Sequence, residues 1–539
     1  MKFLLLVLVF LFLLPTRAFA ITNPLAVENN HFGIHILEEN DLEDAAHLLN
    51  SNGGDWGYVT LVIRQDEMDF TKWQNTFDLM RRLHLIPILR IATTQSVNSW
   101  DAPKPEDSQY WAEFLNSLNW VVKNRYVVLF NEPNHAKEWG GKISPVEYAE
   151  VVNQFSKALK AKSPDFFILS AGMDLSAPNS ASTMDAFNFY QRMHAADPGV
   201  FENFDGLASH SYPNPGFAGS VEDSGRKSIS GFLDEVNYLR QFGVDANIPI
   251  FVTETGWVND QNLDIEDNYT KAFIGPWKRP NIVAVTPFIL NYAQPPFEQF
   301  SFKKATGEYN PWYQAITRLP KTAGKPIQLD SMEIIDAQLP DSLILDSNYL
   351  LPMKIKNTGQ KIWIPGEKNV VGVDGVPYTQ PGEAAQFYVE LETPIEGSSI
   401  EVDLGFVSKE IKLVPPTTLT LHVATAFQLK QTFTVDLLMY DADRLLKKIE
   451  NVLISDSKAE VGNIHDVIPG KTYRFVVIKP FYLPVQAYQL IDSKDTQIIF
   501  PLLIPVDFDA DGDLNITDLL ALLTHPGESI NRLLPFVLF

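Results

Sequence analysis

Eight short apolar runs, each followed by a longer stretch, set the strongest limit on what this chain can fold into. The runs lie at 31–36, 56–63, 86–92, 126–130, 166–170, 204–209, 248–253 and 282–289, and amphipathic stretches such as 109–122, 145–162, 184–195, 229–242 and 267–277 separate them. Several of those stretches open on Ser, Asp or Pro, as helix starts do. Eight strand–helix units within about 290 residues match the size of a (β/α)8 barrel, and doubly wound sheets seldom reach eight regular units. No GxGxxG or GxxxxGK[ST] follows any run, which disfavours a nucleotide-binding sheet.

Two of the runs end in glutamate: Glu132 in Val127-Val128-Leu129-Phe130-Asn131-Glu132-Pro133-Asn134, and Glu254 in Ile250-Phe251-Val252-Thr253-Glu254-Thr255-Gly256-Trp257. A carboxylate at the end of a buried strand is costly unless it is paired, hydrogen-bonded or used for chemistry. The plainer reading is a cap for the helix that follows. In a barrel, however, all strand C-termini open on one face, so these two acids would share a pocket, and paired carboxylates are the usual equipment for cleaving a glycosidic bond. Pro133 should hold Glu132 out of helical geometry, on an extended strand exit.

With Asn131-Glu132-Pro133 after the fourth strand, and Thr253-Glu254 with Gly256-Trp257 after the seventh, residues 30–320 resemble the clan of (β/α)8 retaining glycoside hydrolases that includes the cellulase-like and β-xylosidase-like families. The resemblance implies Glu132 as general acid/base and Glu254 as nucleophile. It implies Asn131 as the partner of the sugar 2-hydroxyl, and His210 and Tyr212, in Ala208-Ser209-His210-Ser211-Tyr212, as neighbours of the nucleophile. Arg64 is expected to keep the nucleophile ionised, with Arg90 as its competitor and a surface pairing with Asp66 or Glu67 as its alternative. Apolar surroundings from Phe130 and Pro133 would keep an acid protonated, whereas a guanidinium or a tyrosine hydroxyl keeps a nucleophile anionic. A carbohydrate is the expected partner, and no cofactor is expected for catalysis. A catalytically silent sugar-binding or surface-display protein is the alternative, although such a protein has no need of both carboxylates.

Where many members of the clan carry a Trp on strand 8, this chain has Phe288, Asn291 and Tyr292, and Tyr292 is expected to stack under the sugar. Trp100, Trp139 and Trp257 fall in or near loops on the active face and are expected sugar contacts, whereas Trp73, Trp111 and Trp120 are at helical spacing and read as core. His31 and His35 could suggest a metal on strand 1. Their spacing sets them more than one pleat apart and no carboxylate cluster completes a site, so His35 reads as a pocket residue.

Lys2, the apolar run 3–14 and Ala18-Phe19-Ala20 fit a secretory signal over residues 1–20, too short to span a bilayer. An exported chain with no further membrane span is the expectation. The 539 residues contain no cysteine, which excludes disulfides and thiolate sites. A formal charge of −23 argues against nucleic acid and anionic membrane surfaces as partners.

That length exceeds one core. A barrel over 21–320 should be followed by two all-β sandwich domains, 321–414 and 415–504, with a short calcium-loop and helix segment at 505–539. Turn signals Asn357-Thr358-Gly359, Pro365-Gly366 and Pro381-Gly382, and a divide at Val414-Pro415-Pro416, support this. The first of these resembles Ig-like modules appended to secreted enzymes. Asp507, Asp509, Asp511, Asp513, Asn515 and Asp518, with Gly512 at the sixth position, have the spacing of a calcium loop ahead of an apolar helix. This resembles half of a dockerin repeat. One copy makes a structural calcium clip the expectation and a cohesin-type partner the lesser one.

Overall fold

The computed structural model describes residues 21–260, 262–337, 339–367, 376–404, 407–426 and 432–525. Residues 1–20, expected to be a secretory signal, and residues 526–539 lie outside them. Two compact units result, Met1–Leu329 and Asp330–Phe539. Among the described residues no helix is long and apolar enough to cross a membrane.

The first unit holds eight parallel strands: β1 (Gly33–His35), β2 (Gly57–Arg64), β3 (Leu85–Ala92), β4 (Arg125–Leu129), β5 (Phe166–Leu169), β6 (Leu207–His210), β7 (Ile250–Glu254) and β8 (Ile282–Val285). They alternate with α1 (Leu42–Leu49), α2 (Phe70–Arg82), α3 (Ser108–Ser117), α4 (Pro145–Lys162), α5 (Ala186–Ala196), α6 (Gly231–Leu239), α7 (Ile265–Ile274) and α8 (Pro311–Arg318). Ladders run β1 to β5 and β6 to β8. Parallel bridges Leu169–Gly206 and Phe32–Val285 join the two ladders at both gaps, so the sheet closes into a (β/α)8 barrel. Closure buries both faces of each strand, which is why these strands read as continuous apolar runs rather than alternating ones.

Local signals set the helix starts. Asp69, Asp185 and Asp264 accept backbone N–H bonds at the N-termini of α2, α5 and α7, and Ser144 does so for α4, where Pro145 takes the first turn.

Among its described residues the second unit is all β apart from one helix. Strands β9 (Met332–Asp336), β10 (Ser342–Ile344), β11 (Asn348–Asn357), β12 (Ala384–Glu392), β13 (Ser399–Asp403) and β14 (Ser408–Val414) form two three-stranded sheets, β12-β11-β9 and β10-β14-β13. Residues along β11 alternate between exposed and buried, the signature of a sheet with one solvated face. Strands β15 (Thr417–His422), β16 (Thr432–Asp441), β17 (Arg444–Ser455), β18 (Lys458–Ile464), β19 (Thr472–Lys479), β20 (Tyr482–Leu490) and β21 (Asp495–Ile499) form one sheet, ordered β20-β19-β16-β17-β18-β15-β21. Hydrogen bonding runs unbroken through all seven because Asp456 and Ser457, both at positive φ, make the two-residue turn that keeps β17 bonded to β18. Helix α9 (Ile516–Thr524) follows the acidic loop.

Candidate active site

The backbone turns sharply where β4 ends. Phe130 has φ +73° and Glu132 φ +31°, so Glu132 is not on the extended exit that Pro133 alone would give it. Two backbone bonds override the proline: Glu132 N–H donates to Gly172 O (3.1 Å) and His135 N–H to Glu132 O (2.8 Å). Non-glycine residues at positive φ persist only where their surroundings hold them, and they gather at functional sites. Gly172 permits the close approach, since a Cβ there would lie 2.2 Å from the His210 ring.

Glu254 ends β7, and the barrel brings it to Glu132. One oxygen of each, with a His210 ring nitrogen, lie within 4.8 Å of one another. His210 Nδ1 is hydrogen-bonded to Glu132 Oε1 at 2.9 Å and is 3.8 Å from Glu254 Oε2. Glu254 Oε1 receives Arg90 Nη1 at 3.1 Å and has His35 Nε2 at 3.9 Å, while Tyr212 Oη donates to Glu254 Oε2 at 3.2 Å. Burial works to raise the Glu254 pKa, but the charges of His210 and Arg90 and the Tyr212 hydrogen bond outweigh it and hold the carboxyl below its ordinary range. For His210 burial works downward, and the Glu254 charge and the Glu132 hydrogen bond win, raising its pKa. His35, wholly buried, is pushed down to about 3 by burial, despite Glu254. The pocket thus holds one carboxylate kept anionic beside a second one, the arrangement that nucleophilic and acid–base steps on one substrate require.

The expected arginine is displaced. Arg64 pairs with Asp66 and Glu67 at 3.0 Å each, away from Glu254, and Arg90 takes the place assigned to it. The sequence did hold a signal: Arg90 is the one charge inside the buried run Leu85–Ala92, whereas Arg64 ends its strand and has its own acidic partners next in sequence.

Asn131 is in the site. Its Oδ1 accepts from Arg90 Nη1, and its Nδ2 donates to Glu138 Oε2 at 3.2 Å. Glu138, a third carboxyl that sequence reading missed, is pushed upward by burial first and by the Glu132 charge second. No motif marks it.

The aromatic expectations fare unevenly. Trp139 is fully buried against Phe130 and Tyr148, and Trp257 is packed on Tyr269 and Trp277 with its indole N–H on Gly219 O, so neither is a sugar platform. Trp100, half-buried, borders with Arg90, Asn131 and Glu138 a small cleft that is open to solvent. On the strand-8 side the ring facing the site is Phe288, edge-on to His35 at 5.2 Å. Phe288 and Tyr292 both pack edge-on against Phe297, at 5.3 and 5.6 Å, and Asn291 bonds Asp41. His31 lies at the opposite end of β1 from His35, where its carbonyl receives Val285 N–H, so the two share no site.

In the second unit, Asp507, Asp509 and Asp511 bring carboxylate oxygens within 4.8 Å of one another. Asp507 is 4% exposed, and its Oδ1 has no hydrogen-bond partner. Gly512, at φ +90°, provides the tight turn and gives its N–H to Asp507 Oδ2. A buried, unpartnered carboxylate oxygen facing two others fits a hard cation. The remaining positions behave differently from the expectation: Asp513 is outside that group, and Asn515 and Asp518 form the capping box of α9, with Asp518 accepting N–H bonds from Phe508 and Asn515.

No protein-family model and no curated protein matches the chain. Among solved structures it is similar to an endo-β-1,4-glucanase from Xanthomonas axonopodis pv. citri (12% identity, TM-score 0.37, covering 53% of this chain and 97% of that one). It is also similar to a GH128 (subgroup II) endo-β-1,3-glucanase from Sorangium cellulosum (16%, 0.35, 50% and 98%) and to an endo-β-1,4-mannanase from Thermotoga petrophila (10%, 0.37, 89% and 99%). All three are (β/α)8 glycoside hydrolases. With TM-scores this low the likenesses decide nothing about the site, and the barrel rests on this chain's own strand ladders.

Proposed function

We propose that the chain is an exported glycoside hydrolase that cleaves O-glycosidic bonds of a polysaccharide or oligosaccharide with retention. The observation that carries this is the Glu132–Glu254 pair: oxygens within 4.8 Å of each other, with Arg90, Tyr212 and His210 gathered on Glu254. Carboxyl groups about 5 to 5.5 Å apart leave no room for the water that inversion places between the second carboxylate and the anomeric carbon, and favour a covalent intermediate.

In this reading Glu254 attacks the anomeric carbon while Glu132 delivers its proton to the glycosidic oxygen. The bond to the leaving sugar breaks, and a glycosyl ester forms on Glu254. Glu132, now a carboxylate, then takes a proton from water, whose oxygen displaces Glu254. Arg90 and Tyr212 stabilise the carboxylate as reactant and as leaving group.

Incubation with β-glucan, mannan and xylan panels, followed by proton NMR of the first product anomer, tests the proposal. Retention is expected, and Glu254→Gln should abolish turnover. Inversion, or hydrolysis that survives Glu254→Gln, would overturn it. A protein that binds a glycan but never turns it over would be the sugar-binding alternative.

The acidic loop adds a structural role. Asp507, Asp509 and Asp511 would hold one calcium ion, which would supply charge compensation to the loop rather than chemistry to the barrel. A single loop favours such a clip over docking to a cohesin-type partner.

A further inference from the structure

Beside the acid, and not used in the mechanism above, is a second ion pair. His135 Nε2 and Asp174 Oδ2 are 2.8 Å apart, and both side chains keep some exposure, 17% and 30%. His135 follows Glu132 by three residues in the turn after β4, and Asp174 stands in the loop after β5. Burial disfavours a proton on His135, but the Asp174 hydrogen bond and the Glu132 charge more than offset it, so the imidazole pKa is raised.

The pair is held stiffly. Asn134, fully buried, donates from Nδ2 to Asp174 O and Met184 O at 3.0 Å each, and its Oδ1 accepts Asp174 N–H at 3.3 Å. A β-bridge joins His135 to Thr183, another joins Asp174 to His210, and Ser176 N–H bonds Asp174 Oδ1. The Asn134 bonds and the His135–Thr183 bridge therefore tie the loops after β4 and β5 into one wall, and the Asp174–His210 bridge ties that wall to β6. The wall has no structural need of a charged pair, because its backbone groups are already bonded to each other.

Chemistry decides which part of a substrate meets this wall. The groups gathered on Glu254, namely Arg90, His35 and Tyr212, surround the sugar that becomes esterified. The acid must touch the glycosidic oxygen, so polar groups beside Glu132 that are not bonded to Glu254, such as His135 and Asp174, are placed to meet the departing sugar. His135 Nδ1 bonds no other described residue, and each Asp174 oxygen retains a lone pair. That leaves a donor and acceptors side by side, complementary to two adjacent hydroxyls.

From this we infer that His135 and Asp174 form the binding site for the leaving-group sugar, recognising vicinal hydroxyls by charge-assisted hydrogen bonds. The inference rests on the roles proposed above for Glu132 and Glu254.

The test compares two substrates that share a glycone: an oligosaccharide and its 4-nitrophenyl glycoside. For His135→Ala, and separately for Asp174→Asn, the kcat/KM ratio of oligosaccharide to aryl glycoside should fall about tenfold or more, the cost of a lost hydrogen bond to a charged group. Asp174→Asn keeps the shape and guards against misfolding of the alanine variant. Transfer of the glycosyl group from the aryl glycoside to an added sugar acceptor should weaken in parallel. A ratio unchanged in both variants, whether or not the two constants fall together, would overturn the inference. Failure of the unmodified protein to cleave either substrate would instead overturn the glycosidase reading.

Discussion

Removing Arg90 isolates its electrostatic role. Its guanidinium helps hold Glu254 ionised, so Arg90→Leu should raise the Glu254 pKa and move the acidic limb of the kcat/KM profile to higher pH. The sign follows from the nucleophile being active only as a carboxylate. Arg64→Ala, which breaks only an exposed pairing with Asp66 and Glu67, should leave that limb in place. A shifted limb in Arg64→Ala, with none in Arg90→Leu, would restore the assignment made from sequence. For Glu132→Ala, loss of general acid catalysis should slow poor leaving groups by about 100- to 10,000-fold, with a smaller loss on activated aryl glycosides and partial rescue by azide.

Glu138 gives a further residue-scale prediction. It receives one Asn131 amide hydrogen while Arg90 satisfies the Asn131 oxygen, so the amide is fixed in one orientation. If Glu138 acts through Asn131, then Asn131→Ala and Glu138→Ala should be non-additive in kcat, with a coupling of about 0.5–3 kcal/mol in a double-mutant cycle. Additive losses would mean that Glu138 acts on its own.

At the scale of elements, the loop after β5 controls the site through one glycine. Gly172→Ala would force a methyl to within 2.2 Å of the His210 ring, so the ring or the loop must move. Overpacking of this kind costs about 1–3 kcal/mol, and because His210 lies between both carboxylates, kcat should fall along with the melting temperature. The acidic loop is the other such element. Calorimetric titration of the full chain should detect one calcium ion, and Asp507→Ala should remove it. An equal heat from the variant would show that the calcium lies elsewhere.

At the scale of the whole molecule, each unit carries its own buried clusters, among the described residues one within 32–319 and two within 339–503. Scanning calorimetry should therefore resolve two transitions, and calcium at a hundredfold excess over Kd should raise only one of them, by about 2.7 kcal/mol of stability. A single transition that moves with calcium would contradict this.

The alternation of apolar and amphipathic runs determined the barrel, because burial on both faces writes continuous hydrophobic strands into the chain, and it determined that Glu132 and Glu254 meet, because parallel strands end on one face. Local chemistry also wrote the helix starts and the Asp507–Asp518 spacing. Tertiary structure placed Arg90 rather than Arg64 on Glu254, buried Trp139 and Trp257, set Phe288 edge-on to His35, and brought Glu138, His135 and Asp174 beside the acid. These outcomes depend on how long loops return over the barrel mouth and on which side chains compete for one carboxylate. Sequence order records strand periodicity, but it does not record distances between residues far apart along the chain.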